Sequence, residues 1–408
     1  MGPSGNQLKG WRARATRGRR STRVKPQEQG LGNKLTKLRH LLWGVTTRAG
    51  VRTCKRHLVG NDGGVRPVRD GTRTALRNLV TCKVWKVCPD CGYRELTAMR
   101  RMIETALAAN HRKKGSAALV TLTLQFERGT GLARRWDHLA GCIAKLARPV
   151  AVVRARKEAG WLGALKLVHP VYTSGGGWHI HVHFLYFFNR KITMAELETL
   201  RRVEVASWRE AARSRRLRPP SNGRQDYQMV ENSEKSFRRV AKYLTKGIEE
   251  IQFDDRRETA VDGESVNGRS PWSILNDIAT EDDGEPSDLL FWREWEAASV
   301  RRHMVDWSDA VLEVLDLTAR STEQREQRID SSSPTCDPAS FVIVGLHGHR
   351  AEHEHGRRIT SLMSLGFSWS AVVAYCLTNR LQVVYDHGGV EHIEARAEQR
   401  RDVPRTVD

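Results

Sequence analysis

The stretch from residue 175 to residue 188 constrains the fold most, because its side chains alternate in character. It reads Gly-Gly-Gly-Trp-His-Ile-His-Val-His-Phe-Leu-Tyr-Phe-Phe. Successive side chains of a β-strand point to opposite faces, so the pattern predicts an apolar face and a face with His179, His181 and His183. Neutral imidazole binds divalent metal ions well. The strand is therefore predicted to carry a metal site, with a merely polar histidine face as the alternative.

The elements around this strand predict an α+β domain built on an antiparallel sheet. An apolar, β-branched run at 117–126 predicts a buried strand, and a strand at 163–172 leads into the three glycines, which favour a hairpin turn. Apolar residues at helical spacing predict helices at 93–109, 132–147 and 193–213. Strands and helices in this order favour an antiparallel sheet with helices packed on it.

Residues 233–247 have the spacing of an amphipathic helix. Their apolar residues form one stripe, and Arg239, Tyr243 and Lys246 project together from the opposite flank at about 100° per residue. Positive charge beside a phenol favours phenolate and attracts phosphate, which a tyrosine nucleophile toward a phosphodiester needs. The alternative is an ordinary half-exposed tyrosine among solvated basic residues.

Four cysteines gather in the first quarter of the chain. Cys88 and Cys91 form a Cys-x-x-Cys motif, which lets two thiolates converge on one tetrahedral ion, and Cys54 and Cys82 complete a candidate structural zinc site. His57 competes as a fourth ligand. The alternatives are a thioredoxin-like redox pair, although no βαβ pattern surrounds the motif, and ordinary buried cysteines.

The charge of the chain indicates a polyanionic partner. The sequence carries 68 Lys and Arg and a formal net charge of +21, which is typical of proteins that bind nucleic acid. The sequence has no apolar run that would span a membrane, and its basic N-terminus lacks the apolar segment of a secretory signal. We therefore expect a cytoplasmic protein that binds no membrane.

Three motifs, in order along the chain, resemble those of the rolling-circle replication initiators (Rep proteins) of small bacterial plasmids. They are the Thr-Leu-Thr strand at 121–123, the Gly-Trp-His-x-His-x-His strand at 177–183 and the Val-Ala-Lys-Tyr-x-x-Lys helix at 240–246. These Reps belong to the HUH endonuclease superfamily, where U is a bulky apolar residue. The cysteine motif and the segment at 269–308 resemble the regions that flank the catalytic domain in these Reps, so the resemblance covers about residues 45 to 310.

The resemblance implies a DNA nickase that holds Mg²⁺ or Mn²⁺. It matches His181 and His183 to the HUH pair, with His179 on the same face as a third participant. It matches Tyr243 to the nucleophile, which would stay linked to the 5′ end and free a 3′-hydroxyl, and Lys246 to the lysine that steadies the phosphate or the phenolate. The implied partners are the plasmid double-strand origin, single-stranded DNA and a host helicase and polymerase, and a homodimer is left open.

One detail departs from the family pattern, and the identity of one metal ligand stays open. Some related Reps have a glutamate one turn before the tyrosine that activates water for termination, and this chain has Arg239 there. Another acid or the tyrosine of a second subunit would then serve termination. The sequence does not identify the remaining metal ligand, and Asp226 and Glu231 are the nearest acids before the helix.

The rival functions are a conjugative relaxase, a single-strand transposase and a zinc-containing regulator that binds DNA without cutting it.

The chain is predicted to comprise six segments: a flexible basic arm (1–40), a Cys-rich zinc-binding region (41–115), the HUH nickase domain (116–250), an acidic loop with helices at 287–317 (251–317), a polar linker (318–338) and a C-terminal accessory region (339–408). The last region has the pattern of strands at 341–346 and 381–385 around helices at 357–365 and 369–378. That outline fits either a DNA-binding helix-turn-helix or a small α/β cap. The His-x-His pairs at 347–349 and 353–355 are expected in a solvated loop.

Overall fold

A computed structural model describes residues 26–59, 64–70, 73–247, 268–280, 287–317, 336–338, 341–344, 355–364 and 367–385 of the chain. These residues form a mixed α+β structure with two antiparallel sheets. No helix within these ranges is long and apolar enough to cross a membrane.

The elements follow one another in an irregular alternation of helices and strands. The helices are α1 (Pro26–Val45), α2 (Ala49–Thr53), α3 (Pro89–Arg112), α4 (Leu132–Leu146), α5 (Val150–Glu158), α6 (Met194–Ser214), α7 (Glu234–Leu244), α8 (Pro271–Ala279), α9 (Asp288–Ser299), α10 (Asp309–Val314), α11 (Gly356–Ser364) and α12 (Trp369–Thr378). The strands are β1 (Gly64–Asp70), β2 (Arg73–Arg77), β3 (Ser116–Thr123), β4 (Trp161–Thr173), β5 (Gly177–Phe188), β6 (Asp226–Met229), β7 (Val305–Trp307), β8 (Cys336–Pro338), β9 (Phe341–Val344) and β10 (Gln382–Tyr385).

The central sheet carries the histidine strand, β5, at its middle. Its order is β6-β3-β5-β4-β7, and every neighbouring pair is antiparallel. β4 and β5 form the predicted hairpin, whose turn ends at Gly177 with φ of +71°. Glycine adopts this left-handed backbone conformation without the steric cost of a Cβ atom. The predicted hairpin is therefore confirmed.

Helices cover both faces of the central sheet. α4, α5 and α6 lie on the apolar face of β5, where Phe184 and Tyr186 are buried. α3 and α7 lie on the histidine face, and their predicted apolar stripes are buried against the core: Leu96, Met99, Ile103 and Leu107 of α3, and Phe237, Val240, Ala241 and Leu244 of α7. α8 and α9 pack beside β4. The histidine face is thus a half-enclosed layer between the sheet and α7.

The structure differs from the predicted flexible arm over residues 1–40 from Pro26 onward. Residues from Pro26 onward form α1, and its leucines Leu35, Leu38 and Leu42 are buried. Their spacing is helical, and burying them against α2 and α3 supplies the free energy that orders this basic segment. Residues 1–25 lie outside the described part of the chain.

The predicted helical extension at 287–317 is interrupted by a strand. α9 ends at Ser299, and β7 then pairs with β4 before α10 begins. This pairing satisfies backbone groups at the edge of the central sheet that would otherwise be open. The acidic loop predicted between residues 251 and 286 lies for the most part outside the described residues.

A second sheet joins the cysteine region to the C-terminal region. β1 and β2, which lie between Cys54 and Cys82, pair with the C-terminal strands in the order β10-β9-β1-β2, with β8 also paired to β1. Val65 of β1 lies opposite Ile343 of β9, and both share a small core with α11 and α12. The predicted C-terminal strands and helices are confirmed as elements of a small α/β unit. Of the predicted linker, residues 318–335 lie outside the described residues, and so do His347, His349 and His353.

Candidate active site

Three histidines converge on one face of the central sheet. His169 on β4 lies directly opposite His181 on β5, and the alternation of β5 places His183 on the same face. The ring centroids of His169 and His183 are 4.7 Å apart, and those of His181 and His183 are 4.8 Å apart. One nitrogen from each of the three rings lies within 4.8 Å of the other two. This histidine cluster can hold a metal ion.

Burial keeps the three imidazoles of the histidine cluster neutral. It lowers the pKa of His169 to about 3 and that of His181 to about 4, and positive charge on His181 and Lys246 respectively would add to these shifts. Burial also lowers the pKa of His183 well below the ordinary value of 6.5. A metal ion binds the neutral ring, so the cluster is ready to bind a cation at neutral pH.

Hydrogen bonds orient two of the three rings. Nδ1 of His183 lies 2.9 Å from Oγ1 of Thr121, and Nε2 of the same ring is buried without a hydrogen-bond partner among the described residues. Nε2 of His169 lies 3.0 Å from the carbonyl oxygen of Leu244, so it donates to that oxygen and leaves Nδ1 as the free lone pair. Buried polar atoms are rarely left unpaired. The orphaned Nε2 of His183 is therefore the observation that fits a metal ion best.

His179, the third participant implied by the resemblance, lies outside the cluster. It is exposed and two residues nearer the hairpin turn, and His169 occupies the third position instead. The sequence reasoning missed His169 because it lies on the neighbouring strand, and only the strand register brings it opposite His181. The one available signal was a lone histidine in the apolar run at 163–172.

The two acids considered as remaining ligands do not join the histidine cluster either. Asp226 lies opposite Thr121 on β6. Glu231 lies 3.9 Å from Arg239, and both side chains are largely exposed. Within the described residues, the cluster therefore consists of imidazoles alone.

Helix α7 brings Tyr243 against the histidine cluster. The ring centroid of Tyr243 lies 5.1 Å from that of His183, with 73° between the ring planes. The apolar stripe of α7 is buried in the core, and the carbonyl oxygen of Leu244, its last residue, accepts a hydrogen bond from Nε2 of His169. These two contacts position α7 beside the histidine cluster. Nζ of Lys246 lies 4.3 Å from the centre of the Tyr243 ring. The structure thus brings together four of the predicted site residues: His181, His183, Tyr243 and Lys246.

Arg239 occupies the position one turn before Tyr243 on α7. Its side chain is 72% exposed and forms the long ion pair with Glu231. The predicted helix is confirmed, but Arg239 is a solvated residue on its surface rather than part of the histidine layer.

Four cysteines form a second candidate metal site, far from the histidines in sequence. The Sγ atoms of Cys54 and Cys88 are 3.5 Å apart, those of Cys82 and Cys91 are 3.6 Å apart, and those of Cys54 and Cys91 are 3.9 Å apart. All four are free thiols. Zn–S bonds of about 2.3 Å in a tetrahedron separate the sulfur atoms by about 3.8 Å. This cysteine cluster can therefore hold a metal ion, and exposed His57 is not part of it.

The surroundings of Cys91, within the cysteine cluster, favour its thiolate form. Cys91 lies in the first turn of α3, where the helix dipole stabilises negative charge, and Nη2 of Arg94 lies 3.4 Å from its Sγ. Hydrogen bonds from the neighbouring thiols hold the pKa of Cys91 well below its ordinary value. Four protein ligands leave no open position, which is typical of structural metal sites.

Helix α3 links the two clusters. It begins beside Cys88 and packs along α7, and Nε of Arg100 on α3 donates to Oγ1 of Thr245 at a distance of 3.0 Å. Thr245 directly follows the last residue of α7. The cysteine cluster thus anchors the helix against which the tyrosine helix rests.

No protein-family model, curated protein or solved structure matches this chain.

Proposed function

We propose that this protein is a metal-dependent DNA nickase that initiates rolling-circle replication of a plasmid through Tyr243. One observation carries the proposal: the Tyr243 ring lies 5.1 Å from the ring of His183, inside a layer that also contains the histidine cluster, which can hold a metal ion, and the ammonium group of Lys246. A nucleophile, a cation site and a fixed positive charge in one layer are what transfer of a phosphodiester needs. The motif order of the HUH superfamily supports the same assignment.

His169, His181 and His183 would hold the catalytic metal ion. When bound there, a divalent ion supplies positive charge that neutralises the phosphate oxygens as the reaction proceeds. Of Mg²⁺ and Mn²⁺, the second fits the three nitrogen ligands better because Mg²⁺ prefers oxygen ligands. The neutral state of the imidazoles and the orphaned Nε2 of His183 support this assignment.

The proposed reaction exchanges one phosphate ester for another. Tyr243 releases its phenolic proton, and its oxygen forms a bond to phosphorus while the bond from phosphorus to the 3′ oxygen breaks. The departing 3′ oxygen takes up a proton and becomes the hydroxyl from which a host polymerase extends. Because the ester is conserved as a 5′-phosphotyrosine, the strand can later be rejoined without ATP. Lys246, above the tyrosine ring, stabilises the negative charge on the phenolate and the phosphate.

The cysteine cluster would hold a structural Zn²⁺ ion. Its sulfur spacing and its four protein ligands support zinc, and the ion would fix α3 and through it α7. The proposed partners are the plasmid origin, single-stranded DNA and the host helicase and polymerase, which places the protein in the cytoplasm. The cysteine cluster before the sheet and the helices after Tyr243 favour a replication initiator over a relaxase or transposase, which use the same chemistry.

A covalent-adduct assay tests the proposal. Wild-type protein is incubated with Mn²⁺ and a tiled set of labelled single-stranded oligonucleotides that cover the DNA flanking its coding sequence, and the products are separated on a denaturing gel. We expect a slow protein–DNA band that requires metal and disappears in Tyr243→Phe. Tyr172→Phe is the matched control, because Tyr172 is a half-buried tyrosine on the apolar side of the same sheet.

Two other results would each redirect the proposal. A band that persists in Tyr243→Phe would mean that another residue is the nucleophile. Binding of an oligonucleotide by the wild type without any band would favour the zinc-containing regulator that binds DNA without cutting it.

A further inference from the structure

A cavity lies beside the histidine cluster, between β4, the end of α7 and the start of α8. His169 and Lys246 border it. The centres of water molecules can occupy about 70 Å³ of this cavity. Because one water molecule needs about 10–15 Å³ of such space, the cavity has room for about five. Voids larger than one water molecule are few in close-packed protein interiors. The cavity is therefore a candidate binding site rather than ordinary loose packing.

Tryptophans form much of the wall of this cavity, which we call the tryptophan cavity. Trp272 on α8 and Trp295 on α9 are buried, and Trp85 is half-buried. Aliphatic side chains of α3, β4 and β7 complete the wall. Half-buried residues, among them Trp85 and Val305, form the rim within the described part of the chain. Aromatic faces and aliphatic side chains around such a space suit a flat heteroaromatic ring.

Two walls of the tryptophan cavity are fixed by the fold around them. Trp85 lies midway between Cys82 and Cys88, in the loop that joins two members of the cysteine cluster. Trp272 lies in the first turn of α8. The backbone of Tyr172 on β4 exchanges two hydrogen bonds of 2.8 Å with the segment just before α8. The two aromatic walls are thus held in place by the cysteine cluster on one side and by the central sheet on the other.

Gly247 connects the tryptophan cavity to the tyrosine helix. It directly follows Lys246, and its φ of +113° lies in the region that favours glycine. A Cβ atom at this position would lie 2.9 Å from Cδ1 of Trp272. The glycine therefore lets the chain after α7 pass close to the tryptophan wall. Lys246, whose Nζ lies 4.3 Å from the centre of the Tyr243 ring, borders both the cavity and the tyrosine.

The other polar side chains of the cavity wall, those of Lys86 and Ser270, make hydrogen bonds to the protein. Nζ of Lys86 donates to the carbonyl oxygen of Ser299 at 2.8 Å and to that of Arg302. Oγ of Ser270 accepts from the amide of Ser273 at 3.1 Å and so caps α8. Recognition in the cavity would therefore rest on shape and stacking. Stacking discriminates little among the four bases, because each of them has an aromatic face.

We propose that the tryptophan cavity binds one unpaired nucleobase, that of a nucleotide flanking the scissile phosphate. This inference rests on the proposed function and deepens it, because it identifies how the strand is held for attack by Tyr243. A phosphate at the histidine cluster is joined to a nucleotide on each side. The cavity borders His169 and Lys246, so the base of one of these nucleotides can enter it. A base that is paired and stacked in a duplex cannot enter, so the cavity would also select single-stranded DNA.

The test removes one base at a time. Once the adduct assay has identified a cleaved oligonucleotide, versions are made in which a single nucleotide on either side of the cleaved phosphate lacks its base. Adduct formation below substrate saturation is measured for wild type, Trp85→Ala and Val305→Phe. The first variant removes an aromatic wall, and the second fills the cavity. Trp161→Ala is the matched control, because Trp161 is a half-buried tryptophan at the start of β4 that does not line the cavity.

One abasic position should slow the wild type about tenfold, which is within the range that stacking of one base on an aromatic side chain contributes. Trp85→Ala and Val305→Phe should each slow the intact oligonucleotide to a similar extent. The same abasic position should then slow either variant by less than about twofold. Trp161→Ala should keep the full sensitivity of the wild type.

Two results would overturn the base site and leave the nickase intact. The first is a wild type that no single abasic position slows. The second is a variant with an altered cavity that keeps the sensitivity of the wild type. Val305→Phe decides alone if Trp85→Ala does not fold, because filling a passive packing void would leave both the rate and the sensitivity unchanged.

The absence of any adduct with wild type would instead overturn the proposed function. The base site is then tested by equilibrium binding alone. Fluorescence anisotropy with a labelled oligothymidine should show about tenfold weaker binding for Val305→Phe than for Trp161→Ala. Equal affinities of these two variants would overturn the base site as well.

Discussion

The two candidate metal sites of this protein differ in how their ligands are supplied and in what surrounds them. The four cysteines of the cysteine cluster lie in a turn, a loop and the start of α3, and their sulfur atoms all lie within 4.8 Å of one another. The histidine cluster takes three ligands from two paired strands and has Tyr243 and Lys246 beside it. Sites with four protein ligands serve structure, whereas sites that keep a position open can serve chemistry. The contrast fits the proposal that one ion would hold the fold and the other would act on a substrate.

The largest effect should come from breaking the cysteine cluster. Cys88→Ala should lower the melting temperature by more than about 10 °C, because binding of structural zinc contributes directly to folding free energy. The measurement is calorimetry together with the zinc content of the purified protein. Cys142→Ala is the control, since Cys142 is a buried cysteine outside the cluster. Equal melting temperatures and unchanged zinc in the two variants would contradict a structural role.

Breaking the histidine cluster should remove activity and leave the fold. His181→Gln should slow adduct formation by at least about 100-fold, because charge on the phosphate would no longer be neutralised, while the melting temperature changes by only a few degrees. The measurement is the adduct rate with Mn²⁺ at saturating DNA. His355→Gln, in the C-terminal unit, is the control. A rate within about threefold of wild type would show that the cluster does not act in catalysis.

A comparison of two histidines tests which of them belongs to the histidine cluster. His169→Gln should weaken Mn²⁺ binding by at least about tenfold, or 1.4 kcal/mol, because a ligand nitrogen is lost. His179→Gln should change the affinity by less than about twofold, since His179 lies outside the cluster. Isothermal titration calorimetry with Mn²⁺ measures both. The reverse order of effects would mean that the ion binds nearer the hairpin turn than the geometry indicates.

The smallest effect should be that of pH on metal binding. The pKa of His169 is about 3 and that of His181 about 4, so both rings stay neutral between pH 7.5 and 5.5, and protons compete with the ion only as pH approaches 4. Ligands with the ordinary pKa of 6.5 would each lose about tenfold by pH 5.5. We therefore expect the Mn²⁺ affinity to change by less than about threefold over this range in the same calorimetric titration. A fall of more than tenfold would mean that the rings are solvated.

Much of the candidate site could be predicted from local patterns. The period of two in β5 placed His181 and His183 on one face, and the helical period of 3.6 predicted over residues 233–247 placed Tyr243 and Lys246 on the flank opposite the apolar stripe. Such patterns follow from backbone geometry, which acts over a few residues and needs no knowledge of the partner elements. The leucines of α1 also have helical spacing. The prediction gave more weight to the basic composition of this segment and therefore missed the helix.

The third histidine and the second sheet were decided by tertiary structure. His169 joins the cluster because hairpin pairing sets which residue of β4 faces His181, and a shift of one residue would turn its side chain to the other face. β1 pairs with β9 although most of the sequence separates the two strands, and no local pattern encodes that pairing. The sequence by itself thus determined which side chains share a face of one element. Which faces meet depended on register and packing, because those arise from contacts between residues distant in sequence.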